Sequence, residues 1–297
     1  MVAIVRVGMA GWAYDDWKGV VYPRDSNSKF DRLGYMARYF DTVEINTSFY
    51  APPSDKSTKE WLKRVEYNRL FKFTAKLYQG FTHKPGMGTK EDEFKFKQSM
   101  EPLIDAGRLG AVVAQFPWSF QRSPENRKYV DALLERFKDF PLVLEVKHSS
   151  WNEQPVYESL EKRSVGFCNI DQPLFAGSLE PSSFITSQIG YIRMHGRNSR
   201  SWFQVQPGDC CKHDYFYSEE ELKPWIERIR KMKDSANEIY VLMINTCKGQ
   251  GMANALQIRA ALENRRVKVP DLLLSAFPQL KKIAESTALE PRLHDVA

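Results

Sequence analysis

Acidic, basic and amide side chains recur at the ends of otherwise apolar stretches: Glu44 and Asn46, Lys76, Gln115, Glu145, Arg193 and His195, and Asn245. Strand alternation puts Glu44 with Asn46 on one face, and Arg193 with His195 on one face. An ionisable group directed into a closed sheet is costly unless it is paired or hydrogen-bonded. So many at the same end of their strands point to a shared site. The chemistry would be acid–base. Glu44 and Glu145 serve as general base or acid, assisted by His195, whose ordinary pKa of ~6.5 suits proton transfer near neutrality. Lys76, Arg193 and Arg197 would hold an anionic group, and Asn46, Gln115 and Asn245 would orient the substrate. His148 and Asp171, near the ends of the fifth and sixth apolar stretches, complete the candidate binding set.

Three further patterns bear on the ligand. Trp12, Trp17, Trp118, Trp151 and Trp202 all follow predicted strands, joined by Tyr14, Phe49 and Tyr50. Trp12, Tyr50 and Trp151 are expected to form a wall that stacks on sugar rings or bases. The second pattern is basic: Arg193 to Arg200, then Asn245-Thr246-Cys247-Lys248-Gly249-Gln250-Gly251 leading into a helix from about Met252. Free N–H groups at such a helix start favour an anion, although the spacing is neither GxGxxG nor a P-loop. Third, Glu145, His148, Asp171 and His195 are of the types that could hold one divalent metal, Zn, Mn or Mg, but with only five histidines in the chain the ligands are scarce and no metal site is assigned. No HxH, HExxH or GxSxG spacing occurs.

The elements that must position these residues alternate in type. Apolar, β-branched runs occupy Ala3–Met9, Thr42–Asn46, Phe71–Leu77, Leu109–Phe116, Pro141–Val146, Val165–Ile170, Ile189–His195 and Glu238–Asn245. Helical patterns lie between them at Lys29–Phe40, Ser57–Tyr67, Phe94–Ala106, Ser123–Asp139 and Ser218–Lys233. In the last, Ser218 and Glu221 form a capping box before an i, i+3, i+4, i+7 stripe at Leu222, Trp225, Ile226 and Ile229. Strands alternating with helices at this length predict an α/β fold, a (β/α)8 TIM barrel, with its site at the C-terminal ends of the strands. No convincing helix follows the sixth strand, so Asp171–Gln188 reads as a long loop with at most a short helical turn. One domain over 1–284 is expected, with a loose tail at 285–297.

Composition narrows the class. The 297 residues are 42% hydrophobic and 27% charged, an ordinary globular balance, and carry a net charge of +6. That charge admits anionic partners but is too small for a polybasic anchor. No apolar run approaches the ~20 residues that span a bilayer, and the N-terminal stretch has no basic leader, so a cytoplasmic protein without a membrane partner is expected. The four cysteines form no CxxC, and the adjacent Cys210 and Cys211 are poorly placed to bridge each other, so reduced thiols are expected.

The motifs also carry a resemblance. Gly11-Trp12-Ala13-Tyr14-Asp15-Asp16-Trp17-Lys18-Gly19 with Tyr22-Pro23, and Thr42-Val43-Glu44-Ile45-Asn46-Thr47-Ser48-Phe49-Tyr50, resemble signatures of the YecE-like family, "domain of unknown function 72". Phe71 to Lys76 with Thr82-His83, Gln115 to Phe120, Glu145 to Trp151, and Arg193 to Arg197 extend the match from Gly8 to about Leu262. The resemblance implies a TIM barrel. It implies no settled activity, because the family is largely uncharacterised. Its fold is similar to that of endonuclease IV and the xylose-isomerase-like barrels, but this chain lacks the former's histidine set. Asn245-Thr246, Lys248-Gly249 and Asp171-Gln172-Pro173 also depart from the family pattern. The leading expectation is a hydrolase or lyase acting on a phosphorylated or nucleic-acid-derived substrate. The alternatives are a non-catalytic nucleic-acid or nucleotide binding module and a metal-dependent sugar isomerase.

Overall fold

The structure, a computed structural model, describes residues 3–202 and 211–285. Its centre is a closed barrel of β1 (Ile4–Ala10), β2 (Thr42–Ile45), β3 (Lys72–Lys76), β4 (Leu109–Gln115), β5 (Leu142–Glu145), β6 (Gly166–Asp171), β7 (Ile189–Met194) and β8 (Glu238–Met243). All neighbours pair in parallel, and β1 meets β8 in continuous register from Ile4↔Glu238 to Met9↔Met243. This is the expected TIM barrel. Six of the eight strands fall within the expected runs, while β1 and β6 each extend one residue past theirs, to Ala10 and Asp171.

Helices form where the caps dictate. Thr89 and Ser218 each make a full capping box, opening helices at Lys90–Asp105 and Glu219–Met232, while Ser54 and Ser123 cap Asp55–Arg64 and Pro124–Arg136. Each reciprocal box satisfies two backbone donors that the first turn leaves without partners. The helix after the first strand is shorter than its pattern, Arg32–Ala37.

No helix follows β6, as expected. The side chain of Asn169 takes over part of the backbone pairing that a helix would have made internal. Its Nδ2 donates to the carbonyls of Phe184 (2.9 Å) and Tyr191 (3.3 Å), and its Oδ1 accepts from Phe184 N (2.8 Å) and Ser182 Oγ (2.7 Å). Phe184 then stacks on Tyr157, with ring centroids 4.0 Å apart, covering the flank of β6.

The tail expected to be loose lies outside the described residues beyond Glu285, as does Cys210. The expectation of reduced thiols is corrected: Cys247 is disulfide-bonded, while Cys168 is free and buried. Among the described residues, no helix is long and apolar enough to cross a membrane.

Barrel closure depends on one close approach. A Cβ on Gly8 would stand 2.0 Å from the carbonyl oxygen of Thr42. That neighbour is backbone, so β1 and β2 would have to separate. Gly8→Ala is expected to lower the unfolding free energy by about 3 kcal/mol, the upper range for overpacking, measurable by urea denaturation.

Candidate active site

The mouth is organised around Arg193. Alternation along β7 sends Tyr191 and Arg193 into the barrel, and His195 continues on that side just beyond the strand. The Arg193 guanidinium donates through Nη2 to Glu44 Oε1 (2.7 Å), and through Nη1 to Gln115 Oε1 (2.6 Å) and Glu145 Oε2. The Tyr191 hydroxyl supports the far side of Glu44, 2.9 Å from Oε2 and 2.8 Å from Thr74 Oγ1. Glu44 and Glu145 are wholly buried, and Arg193 is 2% exposed. Carboxylates from opposite parts of the barrel wall are therefore held on one guanidinium.

His195 lies on the other oxygen of Glu145, with Nε2 at 3.0 Å from Oε1. Burial pushes the Glu145 pKa up, but Arg193, His195 and Lys147 outweigh it and hold the group well below the usual carboxylate range. An ionised carboxylate only accepts, so Nε2 carries the proton. Burial, reinforced by Lys147, keeps the His195 pKa well below its ordinary value, and the imidazole is neutral. Its Nδ1 is then a lone pair, buried and without a hydrogen-bond partner among the described residues.

Two lysines complete the mouth. Lys147 Nζ stands 3.6 Å from Glu145 Oε1, and burial lowers its pKa to about 8 despite that carboxylate. Lys76 Nζ sits 3.9 Å from the centroid of the Phe49 ring. Burial, with the charge of Arg193, lowers its pKa to about 7. Asn46, Phe49, Lys76, Gln115 and Trp118 are half-buried, so solvent reaches the mouth on the β2–β4 side. On the β7–β8 side His195, Trp202 and Asn245 are buried.

Of the residues singled out from sequence, Glu44, Lys76, Gln115, Glu145, Arg193 and His195 converge. Others do not. Asp171 is the last residue of β6, on the same face as Phe167 and Asn169, and points into the helical layer. It accepts from Tyr217 (2.8 Å), Trp225 (2.6 Å) and both Nε and Nη2 of Arg197 (2.9 and 2.7 Å). Arg197, also 3.3 Å from Glu221, is thus a brace between β6 and the helix at Glu219–Met232, and does not reach the mouth. His148 caps its own turn through Nδ1, 3.1 Å from Ser150 N. The four candidate metal ligands therefore do not meet. Among the described residues, no group of three or more His, Cys, Asp or Glu is placed to hold a metal ion.

Asn245 is also committed elsewhere, donating to Tyr215 O (2.8 Å) and Asn254 Oδ1 (3.0 Å). The stacking wall is not formed as expected. Trp151 is buried, lies 5.7 Å from Phe120 in a near-parallel stack, and donates to its carbonyl. Trp17 is buried and bonded to Thr246 O (2.6 Å). Trp12 packs edge-on against Trp61, while Tyr50 is exposed beside Phe49. Asn46 lies at the rim, 3.5 Å from the Tyr14 hydroxyl. The expected anion corner after β8 already holds a carboxylate: Asp16 accepts from Lys248 N at 2.6 Å.

Lys147 and Tyr191 were not singled out from sequence. The period of two that pairs Arg193 with His195 extends equally to Glu145 with Lys147 and to Tyr191 with Arg193, so the signal was present.

A family profile described as "Protein of unknown function DUF72" matches residues 6–280. UPF0759 protein YunF of Bacillus subtilis is 27% identical over 274 residues, covering 88% of this chain and 95% of that protein. UPF0759 protein YecE of Escherichia coli K12 is 28% identical over 164 residues, 50% of this chain and 57% of that one. A DUF72 family protein of Thermotoga maritima superposes with a TM-score of 0.78 at 35% identity, over 88% of this chain and 99% of that one. One from Enterococcus faecalis gives 0.76 at 25% identity, over 91% and 98%.

Two stability effects follow from the mouth. Arg193→Met leaves two buried carboxylates without their shared countercharge and is expected to cost roughly 3–5 kcal/mol in urea unfolding. Lys76 behaves oppositely. Its folded pKa of about 7 lies below the ordinary 10.5, so the unfolded chain binds more protons between those values and wild-type stability rises with pH there. Lys76→Met is therefore expected to stabilise most below pH 7, with the gain fading by pH 10.5; thermal melts of both proteins across pH 6–10 measure it.

Proposed function

The chain belongs to the DUF72 family of proteins of unknown function, and on that premise we propose that its barrel mouth is the active site of a lyase or hydrolase acting on a small phosphorylated substrate. The observation that carries this reading is the imbalance of charge at the mouth. Glu44 and Glu145 are already engaged by Arg193, and Lys147 and Lys76 stand beside them. Lys212 adds a further cation, 4.5 Å from the Trp202 ring that Lys147 approaches from 5.2 Å. Ammonium groups crowded in this way gain when a phosphate enters, because it supplies the countercharge that burial denies them.

The roles differ from the simplest assignment. Glu44 and Glu145 hold Arg193 and orient His195; their oxygens are occupied. The proton-transfer group is His195, whose Nε2–H is fixed on Glu145 and whose Nδ1 is available to take a proton. This is the logic of a carboxylate-oriented base. Gln115 accepts from Arg193 through Oε1, which leaves its amide N–H groups for substrate. The packing of Trp17 and Trp151 favours a compact substrate over an extended single strand.

Inorganic phosphate should bind, and its affinity should fall as pH rises from 6.5 to 9, because Lys76 and Lys147 lose their protons near 7 and 8. Isothermal calorimetry across that range tests this; absence of binding, or affinity flat in pH, counts against the reading. Against a panel of sugar phosphates, His195→Gln should reduce turnover by about 100-fold or more while leaving the melting temperature near wild type.

A further inference from the structure

We propose that Lys76 is a nucleophile that forms an iminium with the carbonyl carbon of the phosphorylated substrate, so that the substrate class is an aldehyde or ketone carrying a phosphate. The inference rests on the reading above and deepens it. Its ground is the contrast between Lys76 and the other mouth cations. Arg193 is clamped by two carboxylates, and Lys147 lies within salt-bridge distance of Glu145. Lys76 has no carboxylate within that distance among the described residues; its Nζ rests on the face of Phe49. It is also half-buried, on the side where solvent enters.

The groups that face Lys76 come from several elements. They are Glu44 from β2, Glu145 and Lys147 from the end of β5, and Arg193 from β7. His83 contacts Phe49 edge-on, with ring centroids 4.8 Å apart, and burial and Lys76 lower its pKa to about 4. The cations and the burial prevail over the carboxylates, and the amine is half unprotonated near pH 7. A lysine in this condition attacks carbonyls at neutral pH, whereas an ordinary ammonium does not.

The step balances as follows. The Nζ lone pair forms a bond to the carbonyl carbon while the C=O π pair moves to oxygen, which takes a proton from the Lys147 ammonium. Nζ returns one proton to Lys147, which passes it to the new hydroxyl. Water leaves and the nitrogen lone pair closes the C=N bond. Amine, carbonyl and one proton thus become an iminium and one water. The iminium then accepts the electron pair of a bond broken at the adjacent carbon, and the proton released goes to a base of the mouth, the unpartnered His195 Nδ1 being the candidate. That is lyase chemistry.

The test is reductive trapping of the full-length protein with glyceraldehyde 3-phosphate and sodium cyanoborohydride, followed by intact-mass measurement and peptide mapping. Hydride delivered to the iminium carbon leaves a stable secondary amine. The expected result is one adduct per chain, mapped to Lys76 and formed at pH 7 roughly tenfold faster than adducts on exposed lysines. Its rate should titrate with a midpoint near 7, and Lys76→Arg should abolish it. The wild-type pH profile and map stand even if that variant folds poorly. Adducts on Lys147, adducts spread over surface lysines, or none overturn the proposal. Phosphate calorimetry separates the two claims: binding without trapping removes the iminium and keeps the anion site, whereas loss of both removes the function as well.

Discussion

A guanidinium buried inside a closed sheet is the constraint from which the mouth follows. Removing Arg193 from water is tolerable only because Glu44 and Glu145 reach it from different strands and Gln115 takes a further N–H. Those carboxylates would be equally costly alone. Each member of the set therefore requires the others, and β2, β4, β5 and β7 are tied in register by side chains as well as by their ladders. The planar fork of arginine suits this bridging, since it offers divergent donors that a lysine lacks.

Once both carboxylates are spent on Arg193, the remaining groups take their properties from what is left. His195 is neutral because burial, reinforced by Lys147 and Arg193, opposes a further positive charge, and its tautomer is set because Glu145 can only accept. Lys76 and Lys147 have depressed pKa values because burial is opposed by too few negative charges. Two lysines able to change protonation state near neutrality are thus produced by one ion cluster. Such clustering of perturbed groups is characteristic of functional sites.

The fold was legible in the sequence because parallel barrel strands are buried on both faces and read as short apolar runs between capped helices. The inward residues were legible where a charge stood alone at a strand end, as with Glu44 or Glu145. What sequence did not resolve was the face of residues near strand ends. Asp171 and Arg193 look alike as polar interruptions, yet Asp171 faces the helical layer, where Tyr217, Trp225 and Arg197 satisfy it. The indoles failed for a related reason. A loop tryptophan after a strand can pack inward between loop and barrel, and Trp17 and Trp151 do so because their N–H groups find backbone carbonyls there.

The two ends of β3 separate structural from reactive polarity within one strand. Lys72 and Lys76 share a face, four residues apart, and both point into the barrel. At the base, Lys72 Nζ lies 2.8 and 3.0 Å from the two oxygens of Glu238, which also meets Arg6 and Tyr240. At the mouth Lys76 meets an aromatic face instead, on the side where solvent enters. Burial alone would favour giving both lysines a carboxylate. Where the barrel needs only to close, that pairing is present. Where a ligand can arrive, it is withheld, and a ligand that brings its own negative charge and an electrophilic carbon would complete the arrangement.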